Sequence, residues 1–177
     1  GYPPRDLLDS PWFIGKIGAA IEEVKSQSTL YPETGILLGA PLPGGAEGTG
    51  LYNSALLVLN GQIVFTQNKC LLPTYDVFDE RRYFDPAEQV RVFPFKGQKL
   101  GISICEDAWN DRDFWPRPLY KRDPIAELAA QGATLFINIS ASPFQAGKDE
   151  TRYRLLAAHS CRYGLPFIYV NQVGAND

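Results

Sequence analysis

The chain has 177 residues, 45% of them hydrophobic and 21% charged, and a formal net charge of −3 at pH 7. That length suffices for one domain that buries about two-thirds of its unfolded surface. A weakly acidic composition argues against nucleic acid as the main partner, since phosphate binding needs a basic surface, and no apolar run approaches the ~20 residues of a membrane span.

The cysteine content predicts a reducing cellular compartment, and the chain ends predict an incomplete sequence. Three cysteines, an odd number without CxxC spacing, argue against a disulfide framework or a zinc cluster. With no N-terminal segment typical of a secretory signal, we expect a reduced, cytoplasmic protein. The chain contains no methionine and stops just past a predicted strand, so we expect a piece of a longer polypeptide.

In chain order, a helix and a strand come first. Apolar residues at helical spacing predict an amphipathic helix over residues 11–25. Residues 36–40 are predicted to form a short buried strand that ends at Pro41. Residues 43–50 are predicted to be a flexible loop, which lacks the lysine and serine or threonine of a phosphate-binding loop.

Two hairpins follow, each with a turn between two strand-like runs. The predicted strands are residues 52–59 and 62–67 around Asn60-Gly61, and residues 91–95 and 100–104 around Lys96-Gly97-Gln98. These antiparallel pairs argue against a purely parallel Rossmann sheet.

The second half alternates helices and strands. The predicted elements are helices at residues 125–131 and 149–163 and strands at residues 134–139 and 166–171. Gly132 and Gly164 are placed to end the two helices. Because the strands are nearly all apolar, we expect both of their faces to be covered. Without an internal repeat or linker, the sequence predicts one α/β domain over residues 1–177.

Cys105 is the most informative residue for chemistry. It ends the apolar run of residues 100–104 and is followed by Glu106, Asp107 and Trp109. A thiol at the carboxyl end of a buried strand is placed as a nucleophile would be, and it would need a proton acceptor and donors for an oxyanion.

Two residues could assist this thiol. His159 is the only histidine, and inside a predicted helix it is more typical of a packed or surface residue than of a base, which gives a Cys-His protease little support. Lys69 ends a hairpin strand and is the better candidate, although alone it could be a solvated charge. We expect Lys69 and Cys105 to meet at one edge of the sheet, where the amine would lower the pKa of the thiol.

Other polar and sulfur-containing residues receive structural interpretations. Cys70 and Cys161 are expected to pack as small hydrophobic side chains. The charged run at residues 79–82 is interpreted as a solvated or intersubunit face.

Five stretches carry a family resemblance. They are GYPPRDLL, LYNSALLVLNGQIVFTQNKCLLPTYDVFDERRYF, GISICEDAWN, INISASPFQAGK and YVNQVGAND. With these stretches in this order, the chain resembles the nitrilase-type carbon–nitrogen hydrolases. Among them it resembles the glutaminase domains of glutamine-dependent NAD⁺ synthetases. CEDAW separates this branch from nitrilases and aliphatic amidases.

The resemblance implies a fold and a catalytic apparatus. The fold would be an αββα four-layer sandwich, here truncated at both ends, and the active site would use a Glu-Lys-Cys triad. Cys105 would attack the side-chain amide of glutamine, Lys69 would stabilise the tetrahedral intermediate, and the backbone amide of Glu106 would add an oxyanion donor. The glutamate that acts as general base would lie upstream of Gly1.

The resemblance also implies a set of substrate-binding residues. They are Tyr75, Phe78, Glu106, Trp109, Ser142 and Lys148. On their own, the three aromatic residues could be core residues and Lys148 a solvated charge. Ser140 stands where many relatives have asparagine, which leaves the hydrogen bonds of the pocket open.

For the whole enzyme, the resemblance implies ammonia supply for ATP-dependent amidation of deamido-NAD⁺. ATP and Mg²⁺ are expected only for a synthetase domain of the same polypeptide, with no cofactor, nucleic acid or membrane for these residues, and a homo-oligomer is expected. The alternatives are a stand-alone amidase or carbamoylase and a non-catalytic fragment. We expect the fragment alone to be almost inactive.

Overall fold

The computed structural model describes residues 5–44 and 47–174. These residues fall into two compact units, which divide after Ala87. The predicted turn at residues 1–4, the middle of the predicted loop and the last three residues lie outside the described residues. The assignment of the whole chain to one domain stays a prediction.

The first unit is a three-stranded antiparallel sheet with one long helix. The elements are α1 (Pro11–Ser28), β1 (Ile36–Pro43), β2 (Leu51–Leu59) and β3 (Gln62–Asn68), with short 3₁₀ segments at Arg5–Asp9 and Glu80–Arg82. The strand order is β1-β2-β3. The predicted helix and the first hairpin are thus confirmed.

The amphipathic character of α1 explains how this unit is packed. Ile21 on α1 is buried against Ala40 and Leu56 of the sheet. A second cluster is formed by Leu8, Leu72, Tyr83 and Phe84. The helix begins at Pro11, where its fixed φ suits the first helical position and its missing N–H costs nothing.

The prediction that the first strand ends at Pro41 was wrong. The strand β1 continues to Pro43, and Pro41 pairs with Asn53 of β2. Since β1 is an outer strand of the three, a proline without an N–H can face away from the ladder. Ala40 is buried in this strand, whereas the preceding Gly39 is exposed, so the strand is only partly buried.

The second unit is a four-stranded mixed sheet with two helices. Its elements are β4 (Val92–Phe95), β5 (Gln98–Ile104), α2 (Pro124–Ala130), β6 (Leu135–Ser140), α3 (Lys148–Tyr163) and β7 (Phe167–Asn171), with a 3₁₀ segment at Cys105–Ala108. The order is β4-β5-β6-β7; β4 and β5 are antiparallel, and the other pairs are parallel. The α/β class is confirmed, and so is the argument against a purely parallel sheet.

Burial in this sheet differs from strand to strand. From Leu100 to Ile104 every residue of β5 is buried. In β7, by contrast, Ile168 and Val170 are exposed, so the expectation that both faces are covered was wrong for that strand. Alternate residues of a strand point to opposite faces, and one face of β7 is therefore open within the described part of the chain.

The two predicted helix ends are confirmed. Gly132 follows the end of α2 with φ 82°, and Gly164 caps α3 with φ 63°. Such positive φ angles are accessible to glycine at little cost. Over residues 5–44 and 47–174, no helix combines the length and apolar character needed to span a bilayer.

Candidate functional site

Cys105 lies directly after β5 in a strained backbone conformation. Its φ angle is 43°, and its side chain is half-buried. A left-handed conformation at a residue with a Cβ costs about 1–2 kcal/mol. Strain of this kind concentrates at functional sites, where the surrounding structure maintains it. The predicted placement of the thiol at the carboxyl end of a buried strand is confirmed.

Buried polar side chains hold the 3₁₀ segment Cys105–Ala108, which we call the Cys105 turn. The backbone N–H of Ile104 donates to Oδ2 of Asp107 at 3.1 Å. Nδ2 of Asn138 lies 3.4 Å from the carbonyl oxygen of Cys105 and donates to Oγ of Ser103 at 2.9 Å. Since Asp107 and Asn138 are almost fully buried, these contacts fix the backbone on either side of the thiol.

The carboxylate of Glu106 is oriented by a tyrosine that sequence reasoning missed. Glu106 is buried, and its Oε1 accepts a hydrogen bond from the Tyr120 hydroxyl at 3.1 Å. A buried, oriented carboxylate is a suitable partner for a cationic group. Tyr120 lies in an irregular segment with no sequence pattern that could have identified it.

Trp109 and Lys148 are brought together. Nζ of Lys148 lies 5.1 Å from the centroid of the Trp109 ring. On the same ring, Trp115 stacks at 6.3 Å, and its Nε1 donates to the Trp109 carbonyl at 2.6 Å. Lys148 is therefore a half-buried cation above an aromatic face rather than a freely solvated charge.

Ser142 is buried and held by two neighbouring elements. Its backbone N–H donates to Oδ1 of Asn171 at 2.8 Å, and Nδ2 of Asn171 donates to its carbonyl at 3.2 Å. The guanidinium of Arg152 donates to Oγ of Ser142 at 3.2 Å. Arg152 was not among the predicted site residues, although it lies one helical turn after Lys148.

Tyr169 of β7 lies within electrostatic range of Cys105. Burial raises the pKa of its hydroxyl, and a negative charge on Cys105 would raise it further. A hydrogen bond with Ser140 and the positive charge of Arg152 act in the opposite direction. A phenol thus lies near the thiol in this unit, and the guanidinium of Arg152 lies 5.3 Å from the centroid of its ring; neither residue was predicted.

Lys69 forms a buried ion pair in the first unit. Its side chain is 1% exposed, and its Nζ donates to both carboxylate oxygens of Glu80 at 2.7 Å. The interpretations of Lys69 as a solvated charge and of residues 79–82 as a solvated or intersubunit face were therefore wrong, the latter at Glu80. The 3₁₀ segment brings Glu80 inward, where the N–H of Glu80 donates to the Pro73 carbonyl at 3.0 Å.

Tyr75 and Phe78 form an aromatic pair in the same unit. Their ring centroids are 5.6 Å apart in an edge-to-face arrangement. Tyr75 is 43% exposed, so the alternative interpretation as a plain core residue was wrong for it. An aromatic pair on a loop, with one ring exposed and the other half-buried, can line a binding surface.

The predicted site residues are divided between the two units. Lys69, Tyr75 and Phe78 belong to the first, and Cys105, Glu106, Trp109, Ser142 and Lys148 belong to the second. Lys69 follows β3 and Cys105 follows β5, which belong to different sheets, so the expectation of a common sheet edge was wrong. The catalytic pairing of the two residues stays a prediction.

The remaining histidine and cysteines have clear structural positions. His159 is fully buried on α3, in line with its interpretation as a packed residue, and Cys70 is buried as expected. Cys161 is exposed, which contradicts the expectation that it packs as a small hydrophobic residue. Cys161 lies two residues after His159 on α3, so its side chain points to the opposite face of the helix.

A family model confirms the resemblance. The model described as Carbon-nitrogen hydrolase matches residues 16–177. The chain, an α/β protein with a cysteine directly after a strand, therefore belongs to the carbon–nitrogen hydrolase family.

Among curated relatives, glutamine-dependent NAD⁺ synthetases are the most informative. The chain is 44% identical over 181 residues to that of Synechocystis sp., covering 100% of this chain and 32% of the relative. It is 34% identical to that of Thermotoga maritima, covering 100% of this chain and 28% of the relative. The chain spans about a third of the length of these relatives.

Solved structures show the same fold. The glutamine-dependent NAD⁺ synthetase of Acinetobacter baumannii in complex with ADP matches with a TM-score of 0.81 at 30% identity, covering 100% of this chain and 30% of the other. An amidase from Nesterenkonia sp. matches with a TM-score of 0.76 at 20% identity, covering 99% of this chain and 60% of the other. The second likeness concerns the fold alone.

Proposed function

We propose that this chain is the glutaminase part of a glutamine-dependent NAD⁺ synthetase. It would hydrolyse the side-chain amide of glutamine and supply the ammonia that amidates deamido-NAD⁺. The observation that carries the proposal is the strained Cys105 at the end of β5, within the CEDAW sequence of a chain 44% identical to such a synthetase.

In the proposed mechanism, the Cys105 thiolate attacks the amide carbon. The new C–S bond gives a tetrahedral oxyanion, which the Lys69 ammonium and the backbone N–H of Glu106 stabilise. The amide nitrogen then takes from the general-base glutamate the proton that the thiol gave up, the C–N bond breaks, and ammonia leaves. Water hydrolyses the thioester to glutamate and regenerates the thiol, with the general-base glutamate supplied from outside these residues.

The Lys69–Glu80 ion pair supports this role for the lysine. Glu80 accepts two hydrogen bonds from Nζ and so favours the ammonium form over the amine. A lysine that stabilises an oxyanion must remain charged and fixed in direction, and a buried bidentate contact provides both.

The substrate would be held by complementary charges. Glu106, oriented by Tyr120, is suited to the α-ammonium group of glutamine. Lys148 and Ser142 are suited to its α-carboxylate. Tyr75, Phe78 and Trp109 would form apolar walls that exclude water from the reacting amide.

The wider context belongs to the same proposal. ATP and Mg²⁺ would bind a synthetase part of the polypeptide, which is consistent with a chain that spans about a third of its relatives. A cytoplasmic homo-oligomer is proposed from the cysteine usage and from the resemblance.

The test measures ammonia release by the full polypeptide from glutamine, asparagine and a simple aliphatic amide. We expect release from glutamine, its loss in Cys105→Ala, and its retention in Cys161→Ala, which removes an exposed thiol on α3. Release mainly from the simple amide would instead assign the protein to the stand-alone amidases. No release from any of the three would exclude the proposed hydrolysis.

A second measurement tests the link with NAD⁺ formation. With ATP and deamido-NAD⁺ present, Cys105→Ala is expected to form NAD⁺ from added ammonia but not from glutamine. An equal loss of NAD⁺ formation from ammonia and from glutamine would contradict the proposal that Cys105 serves only the hydrolysis of glutamine.

A further inference from the structure

We propose that His159, with Asp111 beside it, is a positioning residue that fixes the Cys105 turn from helix α3. This inference rests on the proposed role of Cys105 as the nucleophile. Neither residue would contact the substrate; both would act through the backbone that carries the thiol.

The first step is the contact between His159 and the end of the turn. Nε2 of His159 lies 2.9 Å from the carbonyl oxygen of Ala108, the last residue of the 3₁₀ segment. A carbonyl can only accept, so Nε2 carries the hydrogen in this bond. The imidazole is fully buried, and water therefore does not compete for the carbonyl.

The second step is the environment of the other ring nitrogen. Nδ1 of His159 lies 3.5 Å from Oδ2 of Asp111, which is fully buried. Oδ1 of Asp111 accepts the backbone N–H groups of Asp113 at 2.8 Å and Phe114 at 3.0 Å, and Oδ2 accepts Arg162 at 2.9 Å. Asp111 is thereby fixed in place, and it presents a carboxylate to the ring.

The contact of His159 connects helix α3 with the Cys105 turn. Asp107 and Asn138 hold the start of the turn, and His159 holds its end from α3. The same helix begins with Lys148, whose charge lies over Trp109. His159 therefore links the helix that would bind the α-carboxylate to the turn that would deliver the thiol.

Catalysis requires precise placement of the reacting groups. A displacement of reacting groups by ~1 Å can lower a rate by about 100-fold. The turn contains a residue with unfavourable φ, so releasing its far end lets the backbone relax toward a less strained conformation. A role in stability alone would lower the melting temperature without changing the reactivity of Cys105 in the folded protein.

The decisive experiment compares His159→Gln with His159→Asn in the full polypeptide. The glutamine amide nitrogen can occupy the position of Nε2 and donate to Ala108, whereas the asparagine amide reaches only the position of Nδ1. We expect His159→Gln to keep kcat for glutamine within about 3-fold and His159→Asn to lose about 10- to 100-fold, with little change in KM. Alkylation of Cys105 by iodoacetamide should also be slower in His159→Asn than in His159→Gln. Peptide mass spectrometry measures the modification of Cys105 separately from that of Cys161.

Equal kcat values and equal Cys105 alkylation rates in the two variants would overturn the inference, whatever their melting temperatures. The full wild-type polypeptide labelled with ¹⁵N-histidine supplies a further measurement, in which the His159 signal is the one that the spectrum of His159→Gln lacks. We expect a slowly exchanging proton on Nε2, and a bare Nε2 would contradict the contact. If the wild type releases no ammonia from glutamine, the proposed function fails separately, and the alkylation rates and the NMR signal still decide the contact.

Discussion

At the scale of single residues, the buried pair of Lys69 and Glu80 gives the sharpest prediction. Removing one partner leaves the other charge in an environment that excludes water, which typically costs about 3–5 kcal/mol. Glu80→Ala should therefore lower the free energy of unfolding by about that amount and abolish glutamine hydrolysis. Urea denaturation and ammonia release measure the two effects.

The control for this prediction removes both charges. Lys69→Met with Glu80→Leu replaces the pair by apolar side chains of similar size, a change that is often neutral for stability. The double variant should regain most of the stability and remain inactive. A double variant as unstable as Glu80→Ala would show that the pair itself is not the source of the loss.

The strained backbone at Cys105 makes a second residue-level prediction. Alanine keeps the Cβ and therefore the cost of φ 43°, whereas glycine adopts this conformation at little cost. Both variants should be inactive, and Cys105→Gly should be more stable than Cys105→Ala by about 1 kcal/mol. Chemical denaturation of the two variants checks this, and a less stable glycine variant would argue against the strain.

Residue types at strand ends could be predicted, but their partners could not. Cys105 and Lys69 were identified because each follows an apolar or alternating run. Glu80 was missed because it stands in a charged run, and nothing local distinguishes it from its exposed neighbour Arg81. Burial of one charge in such a run depends on a lysine eleven positions earlier in the chain, which is tertiary information.

At the scale of elements, the turn between β2 and β3 gives a prediction with a matched control. Gly61 has φ 79°, and a Cβ added there would lie 3.0 Å from Cγ2 of Thr29. Gly50, in the same unit, has φ 75° and open space around an added Cβ. Gly50→Ala should cost about 1–2 kcal/mol of unfolding free energy for the backbone alone.

Gly61→Ala should cost more than Gly50→Ala, since the contact with Thr29 adds steric strain of about 1 kcal/mol or more. Equilibrium urea denaturation of the two variants provides the comparison. In Gly61→Ala with Thr29→Ser, which removes the opposing methyl group, the extra cost should disappear. If the two single variants are equally stable, the turn tolerates the contact without strain.

Elements defined by local chemistry were predictable. Asn60-Gly61 and Lys96-Gly97 lie in turns where the sequence analysis placed them, and both glycines have positive φ angles. The end of β1 was missed because Pro41 is tolerated only when the strand is an outer one, and strand position in a sheet is not a local property. The exposed face of β7 was missed for the same reason.

At the scale of the whole molecule, the pattern of residues alone could not divide the strands between two sheets, whereas the family resemblance implied a sandwich that contains two. Both hairpins were recognised, yet the pattern of apolar residues does not tell whether two hairpins join one sheet or two. In the structure β3 and β5 belong to different sheets. Pairing of distant strands depends on long-range contacts, which carry no signature in a single sequence.

The pH dependence of stability is also a property of the whole molecule, and two aspartates, the buried Asp111 and the half-buried Asp123, should influence it in opposite directions. Burial alone would raise the pKa of Asp111, but hydrogen bonds from Arg162 and from the amides of Asp113 and Phe114 outweigh burial and lower it. Burial raises the pKa of Asp123 above its usual value despite a hydrogen bond from the Ala126 amide.

Whether each ionised aspartate stabilises or destabilises the folded protein depends on which state, folded or unfolded, binds its proton more tightly. Ionised Asp111 stabilises the folded state fully above the unfolded-state value of 3.8, and this contribution is lost as the pH falls through the lower folded-state pKa. Ionisation of Asp123 in the folded state is instead unfavourable, and that cost is absent below 3.8 and grows as the pH rises through its raised pKa. Arg162 lowers the pKa of both groups and does not reverse this contrast.

The corresponding experiment compares Asp111→Asn and Asp123→Asn with the wild type between pH 3 and pH 7. Asp111→Asn should be destabilising at pH 7, with a difference from the wild type that shrinks toward pH 3. Asp123→Asn keeps a side chain suited to the N-cap of α2, so it should gain stability relative to the wild type as the pH rises from 3 to 7. Urea midpoints measured across this range decide the matter, because variant curves that both run parallel to the wild-type curve would mean that neither carboxyl group has a shifted pKa in the folded protein.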